Sequence, residues 1–179
     1  YVFFFLFYTR TSREEFNDLA YAAGKLGISN KDGVLLFVKA ADEINVALGD
    51  VLGGTDSIIE ITKMMEVFRQ STKEIAGDDL QRNLIRTGSV LNELGKRSTA
   101  NEKNMAAFLG RISGVSSQLG ISLDQAAGFA SVFDQTKQHV EMSATALQRM
   151  FTEMIKRPGE YAKAAGMALE KFMELTRTD

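Results

Sequence analysis

The run Leu119-Gly120-Ile121-Ser122-Leu123-Asp124-Gln125 decides the fold, because it predicts the end of one helix and the start of the next. A glycine can take the left-handed conformation that closes a helix, and the apolar residue after it then packs back on the finished helix. Ser122 and Gln125 have the spacing of a capping box, in which each side chain bonds to the other residue's backbone N–H. The run therefore predicts a compact corner between two helices.

The same corner recurs along the chain. The first four residues of this run occur letter for letter 93 positions earlier, as Leu26-Gly27-Ile28-Ser29. A looser copy occurs 46 positions later, as Ala165-Gly166-Met167-Ala168. Two explanations stay open: a duplicated helical unit, or convergence of helix corners on one favourable geometry. A DNA-reading helix-turn-helix is less favoured, because the helix after Ser122 offers few side chains that read base edges. We expect no specific nucleic-acid binding.

Apolar residues at helical spacing, and the residues that cap or end them, predict about seven or eight helices. Ser12 and Glu15 form a second predicted capping box, and no stretch alternates apolar and polar residues as a strand would. The predicted helices run from Ser12 to Leu26; from a cap at Ser29 to an end at Gly49; from Thr55 or Asp56 through Ile58, Ile61, Met65 and Phe68 to Ile75; from Gly77-Asp78-Asp79 to Gly95; from Asn101 to Leu119; from Ser122 through Phe133; from a cap at Ser143 to Pro158; and from Pro158 through Phe172.

These elements predict an all-α fold, a hairpin array or bundle without a sheet. Residues 1–10 are predicted to be an apolar aromatic N-terminal segment at the boundary of an excerpt, and residues 11–179 a helical domain. If the corner marks a duplication, that domain consists of two related halves, 11–97 and 98–179. The near-heptad spacing from Ile58 to Ile75 predicts a long helix that packs lengthwise on another, as in a coiled coil. Gly88 lies inside a predicted helix, where it either weakens the helix or permits close packing.

Composition excludes several classes of function. The chain has 179 residues, of which 45% are hydrophobic and 25% charged, with a net charge of -2, so neither nucleic acid nor an acidic tail is indicated. The absence of cysteine excludes disulfides, thiolate metal sites and cysteine nucleophiles. His139 is the single histidine, and its polar surroundings indicate a surface position. No phosphate-binding loop, dinucleotide-binding or hydrolase motif is present.

One group of acidic residues around a predicted turn is a candidate site. Two of its members could approach each other as glycosidase carboxylates do, but helix capping and a solvated surface explain them better. The eight methionines lie mostly on apolar faces, where they favour adaptable helix packing. We predict no enzyme activity and no catalytic, cofactor-binding or metal site. The acidic group comprises Asp42, Glu43, Asp50, Asp56 and Glu60.

The segment Tyr1-Val2-Phe3-Phe4-Phe5-Leu6-Phe7-Tyr8 is entirely apolar or aromatic. Eight residues are too few to span a bilayer as a helix, which takes about 20. The segment could be the end of a membrane span, a buried arm or an interface-seeking tail, and we expect it to pack on the helices that follow. The alternative function is a membrane-associated helical module anchored by residues 1–8.

The chain from Phe16 to Asp179 resembles the conserved helical domain of bacteriophage tail tape-measure proteins, also called phage minor tail proteins. The resemblance depends on the order and spacing of several runs, and residues 1–8 have no counterpart in it. The runs are Leu19-Ala20-Tyr21-Ala22-Ala23-Gly24-Lys25-Leu26-Gly27-Ile28-Ser29, Val46-Ala47-Leu48-Gly49-Asp50, Leu91-Asn92-Glu93-Leu94, Ile112-Ser113-Gly114-Val115, Leu119-Gly120-Ile121-Ser122, Ala126-Ala127-Gly128-Phe129, Thr145-Ala146-Leu147-Gln148-Arg149-Met150-Phe151 and Ala165-Gly166-Met167-Ala168-Leu169-Glu170-Lys171-Phe172.

The resemblance implies a structural function. Such proteins are long and helical, occupy the tail tube, set its length during assembly and leave it when DNA is delivered. It also implies the tail tube protein and tail assembly chaperones as partners, location in the virion tail, and assembly in the cytoplasm of the bacterial host of a phage or prophage. No site residues transfer from this family. From the helix faces we also expect a homo-oligomer formed through helix packing.

Overall fold

A computed structural model describes residues 12–71 and 80–176. These residues form nine α-helices and no strand, so the predicted all-α fold is confirmed. The segment 1–10, Ile75 and Gly77-Asp78-Asp79 lie outside the described residues. The helices are α1 (Arg13–Lys25), α2 (Lys31–Leu52), α3 (Thr55–Ser71), α4 (Leu80–Arg97), α5 (Glu102–Gln118), α6 (Leu123–Gln135), α7 (Val140–Lys156), α8 (Pro158–Ala164) and α9 (Leu169–Thr176).

Two predicted helix ends at glycine are wrong. Helix α2 continues through Gly49 to Leu52 and closes at Gly53, whose φ is +88°. Helix α4 continues through Gly95 to Arg97. An interior glycine costs a helix only about 1 kcal/mol relative to alanine. Burial of a further apolar residue such as Leu52 stabilises the fold by more than that.

Two predicted caps are also wrong. The side-chain oxygen of Asn30, rather than Ser29, accepts the backbone N–H of Gly33 at 2.6 Å at the start of α2. Helix α7 begins at Val140, with His139 at the N-cap, so Ser143 lies inside its first turn. The Ser143 hydroxyl donates to the His139 carbonyl at 2.9 Å. The observed caps therefore lie one residue after the predicted one in α2 and four residues before it in α7. The exact residue at which a helix begins is hard to predict from sequence.

The predicted last helix is two helices. Pro158 occupies the first turn of α8, as predicted, but α8 ends at Ala164 and α9 starts at Leu169. Gly166 lies between them with a φ of +66°. The corner predicted at Ala165-Gly166-Met167-Ala168 is therefore present, and it accounts for the ninth helix.

Helix α5 is the centre of the fold. It packs against α3, α6 and α7, and it also contacts α2 and α4. Met105, Leu109 and Ile112 on this helix are fully buried. The remaining extensive contacts join α2 to α4 and α1 to α2. One hydrophobic cluster runs through the molecule from Phe16 in α1 to Phe151 in α7.

Candidate interaction surface

The three predicted glycine corners share one hydrogen-bond pattern. The N–H of Ile28 donates to the Ala23 carbonyl at 2.9 Å, and the N–H of Gly27 donates to Gly24 at 3.1 Å. The φ of Gly27 is +81°, so these bonds complete a Schellman motif at the end of α1. The corners at Gly120 and Gly166 repeat both bonds, from Ile121 to Ser116 and from Met167 to Ala162 at 2.9 Å each, and from Gly120 to Ser117 and from Gly166 to Lys163 at 3.2 and 3.1 Å.

A fourth corner has the same geometry without a glycine. At the end of α6, the N–H of Gln138 donates to the Phe133 carbonyl at 3.0 Å, and Lys137 donates to Asp134 at 2.9 Å. Lys137 has a φ of +59°, the only positive φ of a non-glycine residue in the described part of the chain. Its β-carbon makes this conformation unfavourable. The sequence does not predict this corner, because lysine rarely takes the left-handed conformation that closes a helix.

Both predicted capping boxes are present. The hydroxyls of Ser12 and Ser122 accept the N–H of the residue three positions on, at 3.2 Å in each case. Glu15 and Gln125 accept the serine N–H in return, at 2.8 and 3.0 Å. The bond from the Ser12 backbone, and then the bond from its hydroxyl, lower the pKa of Glu15. The two boxes therefore differ in charge but not in geometry.

Asp134 joins the start of α5 to the end of α6. Its carboxylate accepts the backbone N–H of Asn101 and the side-chain amide of Asn104, each at 2.7 Å. Asn101 itself is the N-cap of α5, with its side chain accepting from the Asn104 N–H. A carboxylate at a helix N-terminus is also favoured by the helix dipole. Sequence analysis did not single out Asp134, because its partners lie about 30 residues away and only the fold brings them together.

Gly88 permits close packing of α4 on α2, one of the two roles predicted for it. A β-carbon at this position would lie 2.8 Å from a side-chain carbon of Ile44. Beside this contact is a shallow cavity of about 130 Å³. Its lining includes the apolar residues Ile44, Leu48 and Ile85 and the polar residues Glu43 and Asn92. No cluster of ionisable groups converges on it.

The sequence candidates for chemistry do not form a site in the described residues. His139 is exposed at the start of α7. Of the acidic group, Asp42 is buried and interacts within the fold, whereas Glu43, Asp56 and Glu60 do not join it in any arrangement that could hold a metal ion. Glu60 pairs with Lys63 at 2.8 Å on the surface of α3. The prediction that this chain has no catalytic, cofactor or metal site stays a prediction.

Apolar side chains are exposed mainly in the C-terminal third of the fold. Helix α6 exposes Phe129 and Val132, and the ring of Phe129 meets the ring of Phe151 edge-on, with centroids 6.1 Å apart. Single exposed apolar residues are ordinary, but several on neighbouring helices indicate contact with another molecule. On α7, on α9 and in the corner that precedes α9, the exposed large apolar residues are Met142, Met150, Ile155, Met167, Leu169 and Leu175.

The described helices give no indication of a membrane span, since none of them combines sufficient length with sufficient hydropathy to cross a bilayer. The family model of the phage-related minor tail proteins matches residues 8–178. The chain belongs to this family. No curated protein and no solved structure gives a match.

As a phage-related minor tail protein, the chain is a structural component of a phage tail. The match confirms the resemblance stated from the sequence and extends across the helices α1 to α9. It gives the virion tail as the location of the protein. For a structural tail component, the surfaces that matter are those that hold helices together and those that remain open to other tail proteins.

Proposed function

We propose that this minor tail protein is part of a tape measure, which sets tail length during assembly and occupies the tail tube until DNA is ejected. The family match over residues 8–178 is the observation that carries the proposal. The helical architecture supports it, because an α-helix converts chain length into physical length at about 1.5 Å per residue. A protein made of such helices can act as a ruler without any chemical step.

The proposed partners are the tail tube protein and the tail assembly chaperones, in the cytoplasm of the bacterial host during assembly. We also propose self-association through helix packing. Exposed apolar residues in the part of the chain from α6 to α9 support contacts of this kind, since they are open to another molecule. Methionines among them can adapt to more than one partner.

The proposal is tested by an in-frame deletion of residues 11–179 in the phage or prophage that encodes the chain. If these residues extend along the tube as helix, tails should shorten by roughly 250 Å, the length of that many residues at 1.5 Å each. Electron microscopy of purified tails measures the change. The matched control replaces the same residues by an unrelated helical sequence of equal length, and its tails should keep the original length.

Two results would count against the ruler. Tails of unchanged length that remain infectious would exclude a tape-measure role for this segment. Tails of unchanged length that fail to deliver DNA would leave a minor tail protein with another structural task. No described residue favours the membrane-associated alternative, which depends on residues 1–8. Flotation of the chain with and without those residues on liposomes tests it directly.

A further inference from the structure

Helix α5 is the centre of the fold, yet its C-terminal half is made of residues that disfavour a helix. Its residues 110–117 are Gly110-Arg111-Ile112-Ser113-Gly114-Val115-Ser116-Ser117. Glycine loses the most backbone freedom when it becomes helical, and serine and valine are weaker helix formers than alanine or leucine. The helix that holds the core together is therefore locally weak.

Packing does not require the two glycines. Gly110 and Gly114 are exposed, neither has a positive φ, and a β-carbon at either position would meet no atom within 4 Å. Gly88 differs from both, because a β-carbon there would meet Ile44 at 2.8 Å. Alanine would thus fit at positions 110 and 114, and the cost of glycine to the helix is not offset by a closer contact.

Ser116 weakens the same part of α5 from the buried side. It is fully buried, and its hydroxyl has no hydrogen-bond partner among the described residues. Thr62 and Thr87 are buried as well, but each donates to the carbonyl four residues earlier, at 2.8 and 3.0 Å. At the other two glycine corners alanine holds the position of Ser116, as Ala23 and Ala162. A methyl group therefore suits this position, and the hydroxyl loses its water without gaining a bond.

A weak α5 lowers the stability of the whole bundle. This helix packs against α3, α6 and α7 and also contacts α2 and α4. Met105, Leu109 and Ile112 on α5 are fully buried in the core that these helices share. Loss of α5 would expose apolar surface on all of them together. The bundle therefore opens as a unit when α5 is lost.

The proposed tape measure needs such an opening. The described helices α1 to α7 pack around one core, and the longest of them, α2, has 22 residues and is about 33 Å long. Residues 11–179 would span roughly 250 Å if they extended along the tube as helix. A closed bundle would contribute only a small part of that length. To count every residue as length, the chain has to exchange side-by-side packing for an extended arrangement.

We propose that α5 is a built-in weak point through which the bundle opens when the chain is laid along the tail tube. Gly110, Gly114 and Ser116 keep the closed bundle only marginally stable, so that contacts made during tail assembly can replace its internal ones. The proposal rests on the tape-measure function and adds to it a conformational step and the residues that permit this step.

Urea unfolding of the full chain tests the weakness directly. The triple variant Gly110→Ala/Gly114→Ala/Ser116→Ala should lower the equilibrium constant for unfolding about 100-fold or more. The double variant Gly110→Ala/Gly114→Ala, which keeps Ser116, should show part of this effect. Gly88→Ala is the matched control for a glycine inside a helix, and it should raise the constant because its methyl group meets Ile44. Circular dichroism verifies that each variant is helical.

The phage or prophage that encodes the chain tests the opening. With the triple variant in place, the yield of infectious particles should fall at least tenfold at equal expression of the protein. Addition of Gly88→Ala to the triple variant should restore the yield, because it destabilises the closed bundle at the distant crossing of α2 and α4. This restoration separates the stability of the bundle from the shape of the α5 surface.

Three results would overturn the proposal. The triple variant could be no more stable than the original chain, or it could be more stable and retain its full infectious yield. The yield could also fall and not recover with Gly88→Ala, which would indicate that the surface of α5 contacts a partner. Deletion of residues 11–179 tests the ruler separately. Shortened tails in that deletion, with full infectivity of the triple variant, would reject the opening and leave the tape measure.

Discussion

Gly27, Gly120, Gly166 and Lys137 hold the same left-handed position at the ends of four helices. For a residue with a β-carbon, this conformation costs about 1–2 kcal/mol. The bonds that close the corner are backbone bonds, so they do not depend on the side chain at this position. The identity of the residue therefore affects the stability of the fold through the angle φ at this position. The effect can be measured both by replacing a glycine with alanine and by replacing Lys137 with glycine.

Gly120→Ala should destabilise the fold by about 1–2 kcal/mol, because alanine must adopt a φ of +64° at the corner between α5 and α6. The urea midpoint of unfolding measures the loss. Gly114→Ala, on the exposed side of α5, is the control: its β-carbon would meet no atom within 4 Å, and it should be neutral or stabilising. Equal effects of the two substitutions would contradict the role assigned to Gly120.

Lys137→Gly should stabilise the fold by roughly 0.5–1 kcal/mol, because relief of the strained φ exceeds the added entropy of the unfolded glycine. Thermal unfolding checks the sign. Lys39→Gly offers a matched control, since Lys39 is an exposed lysine in the interior of α2, where glycine should instead cost about 1 kcal/mol. A loss of stability at Lys137 would show that its side chain, rather than its backbone, matters at this corner.

Glu15 should make stability depend on pH. Its pKa is lowered in the fold, chiefly by the Ser12 backbone N–H, so folding favours the ionised carboxylate. The stabilisation is therefore present above the ordinary glutamate pKa and is lost as the pH falls through the lowered pKa. Glu15→Gln should remove this part of the acid sensitivity in urea unfolding, as the neutral Ser122–Gln125 box suggests. Gln125→Glu should add a comparable sensitivity, and its failure to do so would contradict the mechanism.

At the scale of elements, the crossing of α2 and α4 depends on the absence of a side chain. Helix propensity alone disfavours Gly88 by about 1 kcal/mol relative to alanine. The contact with Ile44 reverses this preference, because the two helices approach to a distance that leaves no room for a β-carbon. Packing between elements thus overrides the preference of the helix itself.

Gly88→Ala should destabilise the chain by about 1–3 kcal/mol through overpacking against Ile44. A double-mutant cycle with Ile44→Ala tests the cause. Because Ile44→Ala removes the side-chain atoms that the new methyl group would meet, the double variant should be more stable than the sum of the two single effects predicts. Additive effects, measured by urea unfolding, would show that the two residues do not oppose each other.

At the scale of the whole molecule, the two predicted halves share one core. Helix α3 packs on α5, and α4 packs on α6, so contacts cross the boundary between residues 97 and 98. The Arg86 guanidinium on α4 also pairs with Asp124 on α6 across this boundary, at 3.0 Å. A duplication of 11–97 and 98–179 remains a prediction about origin, but the halves do not bury their apolar residues separately.

The fragments 11–97 and 98–179 should therefore not unfold cooperatively when they are produced separately, whereas the intact chain should show one transition. Separation removes the contact of α3 with α5 and exposes apolar surface on both helices, and each apolar side chain that loses its burial costs about 1.5–3 kcal/mol. Far-UV circular dichroism with urea compares the three proteins, and mixing the fragments should restore part of the transition. A cooperative transition of 98–179 alone would contradict the shared core.

The sequence by itself determined the helices, three glycine corners and two capping boxes, because each depends on bonds between residues at most five positions apart. It also sufficed to recognise the family. It did not fix the ends of α2 and α4, which both continue past a glycine; in α2 the extension buries Leu52.

Only the tertiary structure decided which apolar residues stay exposed. Met167 and Ile121 occupy equivalent positions in similar local sequences, yet Ile121 packs against the core whereas Met167 is 44% exposed. The roles of Gly88 and Asp134 also depend on the tertiary structure. Gly88 lies against Ile44, and Asp134 accepts a bond from Asn101, and each partner is more than 30 positions away in the sequence. Local sequence determines the backbone hydrogen bonds of helices, caps and corners. The burial of a side chain depends instead on which distant part of the chain the fold packs against it.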